Sequence, residues 1–304
     1  MQSKALRADL LMLITAIIWG SAFVAQRVGM DAIGPFLFTG LRFCMGALVL
    51  LPLIWRQKKA REAPTPGFAH RGLLLGGMLM GMALTLGINL QQVGLLFTTV
   101  TNSGFITGLY VIVVPLLGLF IGQRAGLGTW LGASLAVAGM FLLSVGDNFH
   151  VASGDWLQLA GAFVWGVHVL VVGFFASRYD PLRLAFLQFI TCGIVSLLLA
   201  VAFEPIVWSA IVQAAPALLY GGFFAVGVGY TLQVVAQQHA IASHAAIILS
   251  LEAVFAAFAG WLFLGESLAM KGYIGAALMF AGMLLAQLWP QKVTPLDKPQ
   301  ATQA

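Results

Sequence analysis

Ten apolar runs, each close to the length a helix needs to cross a bilayer, set the terms on which this chain can fold. They cover residues 10–28, 34–55, 73–95, 101–121, 128–145, 157–176, 183–203, 216–236, 245–264 and 272–289. About 20 residues of helix span a hydrocarbon core of roughly 30 Å. A chain that is 61% hydrophobic and 8% charged, with mean hydropathy +0.97, cannot cover itself with a water-facing surface. The fold class is therefore an all-α polytopic membrane protein with ten transmembrane helices. Connections are short. The longest, 56–71, is polar and basic around Pro64 and Pro66, and 291–304 reads as a disordered cytoplasmic tail.

That layout leaves no room for a soluble catalytic or nucleotide-binding domain. No G-x-x-x-x-G-K-[ST] motif occurs, and no glycine cluster sits in a strand-to-helix context. Lys4 and Arg7 precede the first run as in a signal peptide, but the run continues to spanning length and reads as the first membrane helix. Cys44 and Cys192 lie inside apolar runs and form no C-x-x-C pair, so neither a disulfide framework nor a metal site is expected, and no cofactor is called for.

Basic residues give the orientation. With a cytoplasmic N-terminus, twelve Lys and Arg residues, among them Lys4, Arg7, Arg56, Lys58, Lys59, Arg61, Arg124 and Lys292, fall on the cytoplasmic side, against only Arg27 and Lys271 on the far side. Both termini are expected inside. The net charge of +5 follows from this asymmetry and requires no nucleic acid.

The chain also repeats itself. At an offset of 146, Trp19-Gly20 matches Trp165-Gly166, Pro35 matches Pro181, and Leu41 and Phe43 match Leu187 and Phe189. At an offset of 143, Phe120 and Gly122 match Phe263 and Gly265, Gly132 matches Gly275, and Ala138-Gly139-Met140 matches Ala281-Gly282-Met283. Residues 1–146 and 155–290 then form two five-helix repeats. Because five is odd, the second enters the membrane from the opposite side, which gives two inverted repeats with a site expected near the midplane between them.

Polar residues at membrane depth choose the helices around that site. Thr85, Asn89 and Gln92 in the third run, Ser103, Thr107 and Tyr110 in the fourth, and Tyr230, Gln233 and Gln237 in the eighth each make a stripe at helical spacing. The sixth run adds Trp165 and His168, and the first adds Trp19. The fifth and tenth runs are nearly bare of polar residues, with Ser134 alone in the middle of the fifth, and are expected to be peripheral scaffold. A single stripe can equally serve interhelical hydrogen bonding, at about 0.6–2 kcal/mol per bond. Trp19 and Trp165 suit either packing or stacking on an aromatic or cationic solute. His168 reads as a hydrogen-bonded core residue or a proton relay. Repeated Gly-x-x-x-Gly spacings, such as Gly104 with Gly108 and Gly128 with Gly132, fit close helix packing.

Two charges are the anomalies. Glu252 is the one carboxylate of the ninth run. An acid there costs about 2–4 kcal/mol to insert, and it is expected to look into a wet cavity or to be hydrogen-bonded across a helix interface. Arg42 lies about eight residues, roughly 12 Å, into the second run, too deep to reach the interface with ease. It needs a partner, either within the protein or in a bound solute. Its repeat mate is neutral Gln188, so the halves are chemically unequal.

At this point the sequence resembles a known family. IIWGSAFVAQRVG followed by LRF, and LSLEAVFAAFAGWLFLGE followed by GAALMFAGMLL, look like the ten-helix EamA family of the drug/metabolite transporter superfamily, over nearly the whole chain. The resemblance implies export of small metabolites, amino acids or drugs across a bacterial inner membrane through a central cavity between inverted halves. It points to Trp19-Gly20, Arg42, Glu252 and Gly265-Glu266. Two departures stand out. Ala253 replaces the proline usual after the acid, so the ninth helix is expected to be less kinked than in the family, and Gln123 stands where the second half has Glu266.

The expectation is a secondary exporter working by alternating access, with proton antiport through Glu252, and with Trp19, Arg42, Asn89, Thr107, Tyr110, Trp165, His168, Tyr230 and Gln233 as further pathway residues. Its partners are a small-molecule substrate, protons and the lipid bilayer, and a homodimer is left open. An uncoupled facilitator or channel is the alternative. An intramembrane enzyme would need a nucleophile with a base or a metal cluster at depth, where the sequence offers only His168.

Overall fold

The computed structural model describes residues 2–60, 70–122, 125–144, 152–267 and 270–289, and among them there is no strand. The first half holds α1 (Gln2–Gly29), α2 (Pro35–Ala60), α3 (Arg71–Gly94), α4 (Val100–Gly108), α5 (Tyr110–Phe120) and α6 (Leu127–Ser144). The second holds α7 (Ser153–Ala176), α8 (Pro181–Phe203), short α9 (Trp208–Gln213) and α10 (Ala215–Leu219), a π-helix (Tyr220–Tyr230), α11 (Thr231–Gln237), α12 (Ala242–Leu249), α13 (Glu252–Leu264) and α14 (Met270–Leu288). Lipid offers no hydrogen bonds to the backbone, so apolar sequence of this length must satisfy its amides internally as helix.

Among the described residues, eight segments are long and apolar enough to cross a membrane, while α6 and α14 carry the shorter apolar stretches Leu127–Leu142 and Met270–Ala286. Arg61, Gln123, Arg124, Asp147 and the tail after 289 lie outside the described residues.

Three of the spanning segments are irregular at mid-depth. Val100–Phe120 is interrupted at Leu109, its tenth residue of 21, and Ala242–Leu264 at Ser250 and Leu251, just before Glu252, its eleventh of 23. The breaks are tight i→i+3 turns: the Leu109 amide donates to Ile106 O at 3.1 Å, and that of Leu251 to Ile248 O at 3.2 Å. Leu109 and Glu252 are separated by the repeat offset of 143. Ala253 therefore does not leave the ninth span straight, because the interruption needs no proline. The third irregularity is the 11-residue π-helix, whose wide turns run through Gly221, Gly222, Gly227 and Gly229.

Small residues fix how the segments meet. A Cβ added at Gly20 on α1 would sit 2.8 Å from the Ala256 amide nitrogen of α13, and one at Gly166 on α7 would sit 2.5 Å from Val113 of α5. By the two offsets these are the same contact made twice. Likewise Gly132 touches the Gly282 carbonyl, and Gly139 that of Gly275, so α6 and α14 cross with their repeat-equivalent glycines exchanged. The same construction closes α4 onto α13, where Gly104 faces Ala256. Between these crossings α1, α3, the α4–α5 and α12–α13 segments, α7 and the π-helix converge.

Candidate functional site

Where they converge, Trp19, Arg42, Thr107, Tyr110, Trp165, Tyr230, Gln233 and Glu252 line one central cavity, together with Ala22, Phe23, Gln26, Ile88, Gln91, Val169 and Ala225. The space inside is about 30 Å³, enough for one or two water molecules. A metabolite enters only if the surrounding helices part.

The helix breaks set its chemistry. Tyr110 is the first residue of α5 and Glu252 the first of α13, so the two interruptions place a phenol and a carboxyl opposite one another. Tyr110 and Glu252 both line the cavity, and the buried Tyr110 hydroxyl has no hydrogen-bond partner there. Glu252 is only 4% exposed.

Arg42 is 1% exposed. Its stem lies against the π-helix, where a Cβ at Gly221 would come within 3.2 Å of Cδ. Nη2 donates to Gln26 Oε1 at 3.4 Å and to Gln92 Oε1 at 3.2 Å, the guanidinium stands 5.4 Å from the Phe38 ring and 5.3 Å from that of Phe43, and Nε has no partner. Its neighbours are amide oxygens and aromatic faces rather than Glu252. One small cavity thus holds a cation and an acid that do not neutralise each other.

Aromatic rings form the remaining wall. Tyr230 lies between the two repeat-equivalent tryptophans, 4.4 Å from Trp19 and 6.2 Å from Trp165 by ring centroids. Trp19 Nε1 donates to the Ala225 carbonyl of the π-helix at 3.2 Å, and Trp165 Nε1 donates to Gln91 Oε1 at 3.0 Å.

A layer of glutamines, absent from the expected site, closes the cavity at the Arg27 end of α1. Gln91 Nε2 donates to Gln26 Oε1 at 3.3 Å, Gln158 Nε2 to the Gln91 carbonyl at 2.9 Å, and Thr107 Oγ1 to Gln158 Oε1 at 3.5 Å. Gln26 follows Trp19 by seven residues and Gln158 precedes Trp165 by seven, a same-face spacing that the sequence did contain.

Two expected residues stand outside the cavity. Asn89 turns to α8, with Nδ2 donating to Ser196 Oγ at 2.9 Å and to the Thr85 carbonyl at 2.8 Å. The cavity takes a different face of α3, with Ile88 and Gln91. His168 is bound to Gln188 on α8, Nε2 to Oε1 at 3.0 Å, and sits behind Trp165 edge to face at 5.6 Å. It is a core histidine that tethers α7 to α8. Gly265-Glu266 also lies away from the cavity, at the end of α13.

The profile of the EamA-like transporter family matches residues 6–145 and again 152–288. The chain belongs to the EamA-like transporter family. This EamA-like transporter is 32% identical over 288 residues to an uncharacterized transporter of Archaeoglobus fulgidus, covering 94% of this chain and 87% of that one. It is 25% identical to a probable terminal-alkyne amino-acid exporter of Streptantibioticus cattleyicolor, covering 93% of each, and 26% identical to the threonine/homoserine exporter RhtA of Salmonella typhimurium, covering 76% and 74%. A crystal structure with 19% identity superposes with a TM-score of 0.77, covering 93% of this chain and 99% of the other, a likeness of fold. The protein is a multi-pass membrane transporter, and its relatives are transporters and exporters rather than enzymes.

Proposed function

We propose that this EamA-like transporter is a secondary exporter of small dipolar solutes in a bacterial inner membrane, working by alternating access and driven by proton antiport through Glu252. The observation that carries the reading is the placement of Glu252 at the interruption of its span, facing the cavity that Arg42 shares. A solute carboxylate suits the guanidinium, whose present partners are long bonds to amide oxygens, and an ammonium suits Glu252 beside Trp19, Tyr110 and Tyr230. Amino acids are the first class to test, a choice supported by the named solutes of two relatives.

In this reading α6 and α14 also span, giving ten helices in two inverted halves, 1–146 and 155–290, with both termini cytoplasmic. Support comes from the two successive family matches, the exchanged glycine contacts of α6 and α14, and the paired breaks at Leu109 and at Ser250-Leu251, which fall within two residues of the 143-residue offset. One charge moving through 100 mV releases about 2.3 kcal/mol, enough for a gradient of about fiftyfold, so no nucleotide site is needed. The test is efflux of preloaded amino acids and related metabolites from proteoliposomes with the cytoplasmic face inward. Acidifying the outside should accelerate export of a cognate solute, because protons entering drive solute out. Equal flux with and without the gradient would favour an uncoupled facilitator, and flux of no solute would remove the reading.

A further inference from the structure

Gly265-Glu266 carries a family resemblance but takes no part in the cavity. We propose that Glu266, with Glu204 and Asp155, clasps the two halves together at one end of the bundle, so that the resting transporter is shut there and loads its cavity from the other end. The proposal rests on the transport reading above and assigns its gate.

The geometry of each clasp is specific. α13 ends at Gly265 with φ +67°, the left-handed conformation that glycine adopts without penalty, and the Glu266 amide returns to the Gly260 carbonyl at 3.1 Å. This reversal throws the Glu266 carboxylate across the start of α4. Oε1 accepts from the Val100 amide at 2.9 Å, and Oε2 from the Thr101 amide at 3.0 Å and the Thr101 hydroxyl at 2.5 Å. Gly260 makes the room, since a Cβ there would lie 2.7 Å from Oε2. Glu204, just after α8, does the same to α2: its two oxygens accept from the Phe36 and Leu37 amides, both at 2.8 Å, over Gly34. Asp155 Oδ1 accepts from Thr98 Oγ1 at 2.6 Å.

In each case the acid belongs to the second matched segment and its partner to the first. Two of the three acids use the otherwise unpaired amides that open a helix, where the helix dipole also favours negative charge. The three clasps share one end. Arg27 at the close of α1 donates to the Leu95 and Leu96 carbonyls at 2.9 and 3.3 Å, beside the starts of α2 and α4. Asp9, 18 residues earlier on α1 and so about 27 Å away, meets His244 of α12 at 3.1 Å at the opposite end. In the sequence, the residue 143 positions before Glu266 is the neutral Gln123. Opening the clasped end means breaking charge-assisted bonds from three carboxylates at once.

The test uses the full-length protein with Cys44 and Cys192 replaced by alanine and a reporter cysteine at Ala22→Cys on the cavity wall. A membrane-impermeant thiol reagent is applied to spheroplasts and, separately, to inverted vesicles. Labelling should be faster through the Asp9–His244 end. Glu204→Gln with Glu266→Gln should raise the rate through the clasped end about tenfold relative to the other, equivalent to ~1.4 kcal/mol. Thr101→Val removes one clasp partner, keeps every acid and should shift the ratio the same way by a smaller factor, whether or not the double variant folds. A ratio unchanged in folded Thr101→Val protein, or faster entry through the clasped end before any acid is changed, overturns the proposal. Absence of flux together with a shifted ratio would instead remove the transport reading and leave the clasps.

Discussion

Arg42 is a cation held where neither lipid nor a dry core favours one, and its partners are too weak to be its purpose. Amide oxygens at 3.2 and 3.4 Å and two aromatic faces keep it oriented while leaving Nε unused. Arg42→Lys keeps the charge and loses the planar fork, so the KM for a carboxylate-bearing solute should rise about tenfold or more with little change in folded yield. An unchanged KM would make the residue structural. At this scale the sequence disclosed charge and depth well: Trp19, Arg42 and Glu252 followed from burial cost and repeat position. It could not decide which face of one helix meets the cavity. Asn89 and Gln91 are two positions apart on α3, and only the placement of α8 determines which of them meets the cavity.

Among the elements, the interrupted helices shape the cavity most, because their breaks bring Tyr110 and Glu252 to its wall at mid-depth. Spanning segments were visible as apolar runs, but the break at Ser250 and Leu251 contains neither proline nor glycine. It packs against the other interrupted span, with the Ser250 carbonyl 3.6 Å from a Cβ built at Gly108. The π-helix had a signal, four glycines in eleven residues, although composition alone does not separate it from close α packing. Single cysteines at Thr107, Tyr110, Trp165 and Tyr230 should react with a small water-soluble thiol reagent and be protected by solute. Leu135 and Leu278 on α6 and α14 should stay unreactive. Equal labelling at all six sites would refute the division into pathway and scaffold.

For the whole molecule, the proposed odd number of spans in each half would make the repeat inverted, a symmetry that would turn the cavity into a pathway reachable from two sides. Reporters fused after Lys59 and at the C-terminus should therefore read cytoplasmic, and one at Asp147 should read the far side. A C-terminus on the far side would remove the inversion. The proposed symmetry is broken at two charges: Glu252 and Arg42 have no charged counterparts in their repeat mates, Leu109 and Gln188. Proton coupling is the consequence drawn from that inequality, and flux against pH tests it most directly. Initial rates should be measured for the unaltered protein, Glu252→Gln and His168→Gln, each normalised to folded protein in the membrane. The account predicts a pH-dependent rate that His168→Gln retains and Glu252→Gln flattens without loss of insertion. Superimposable profiles for the unaltered protein and Glu252→Gln would contradict it.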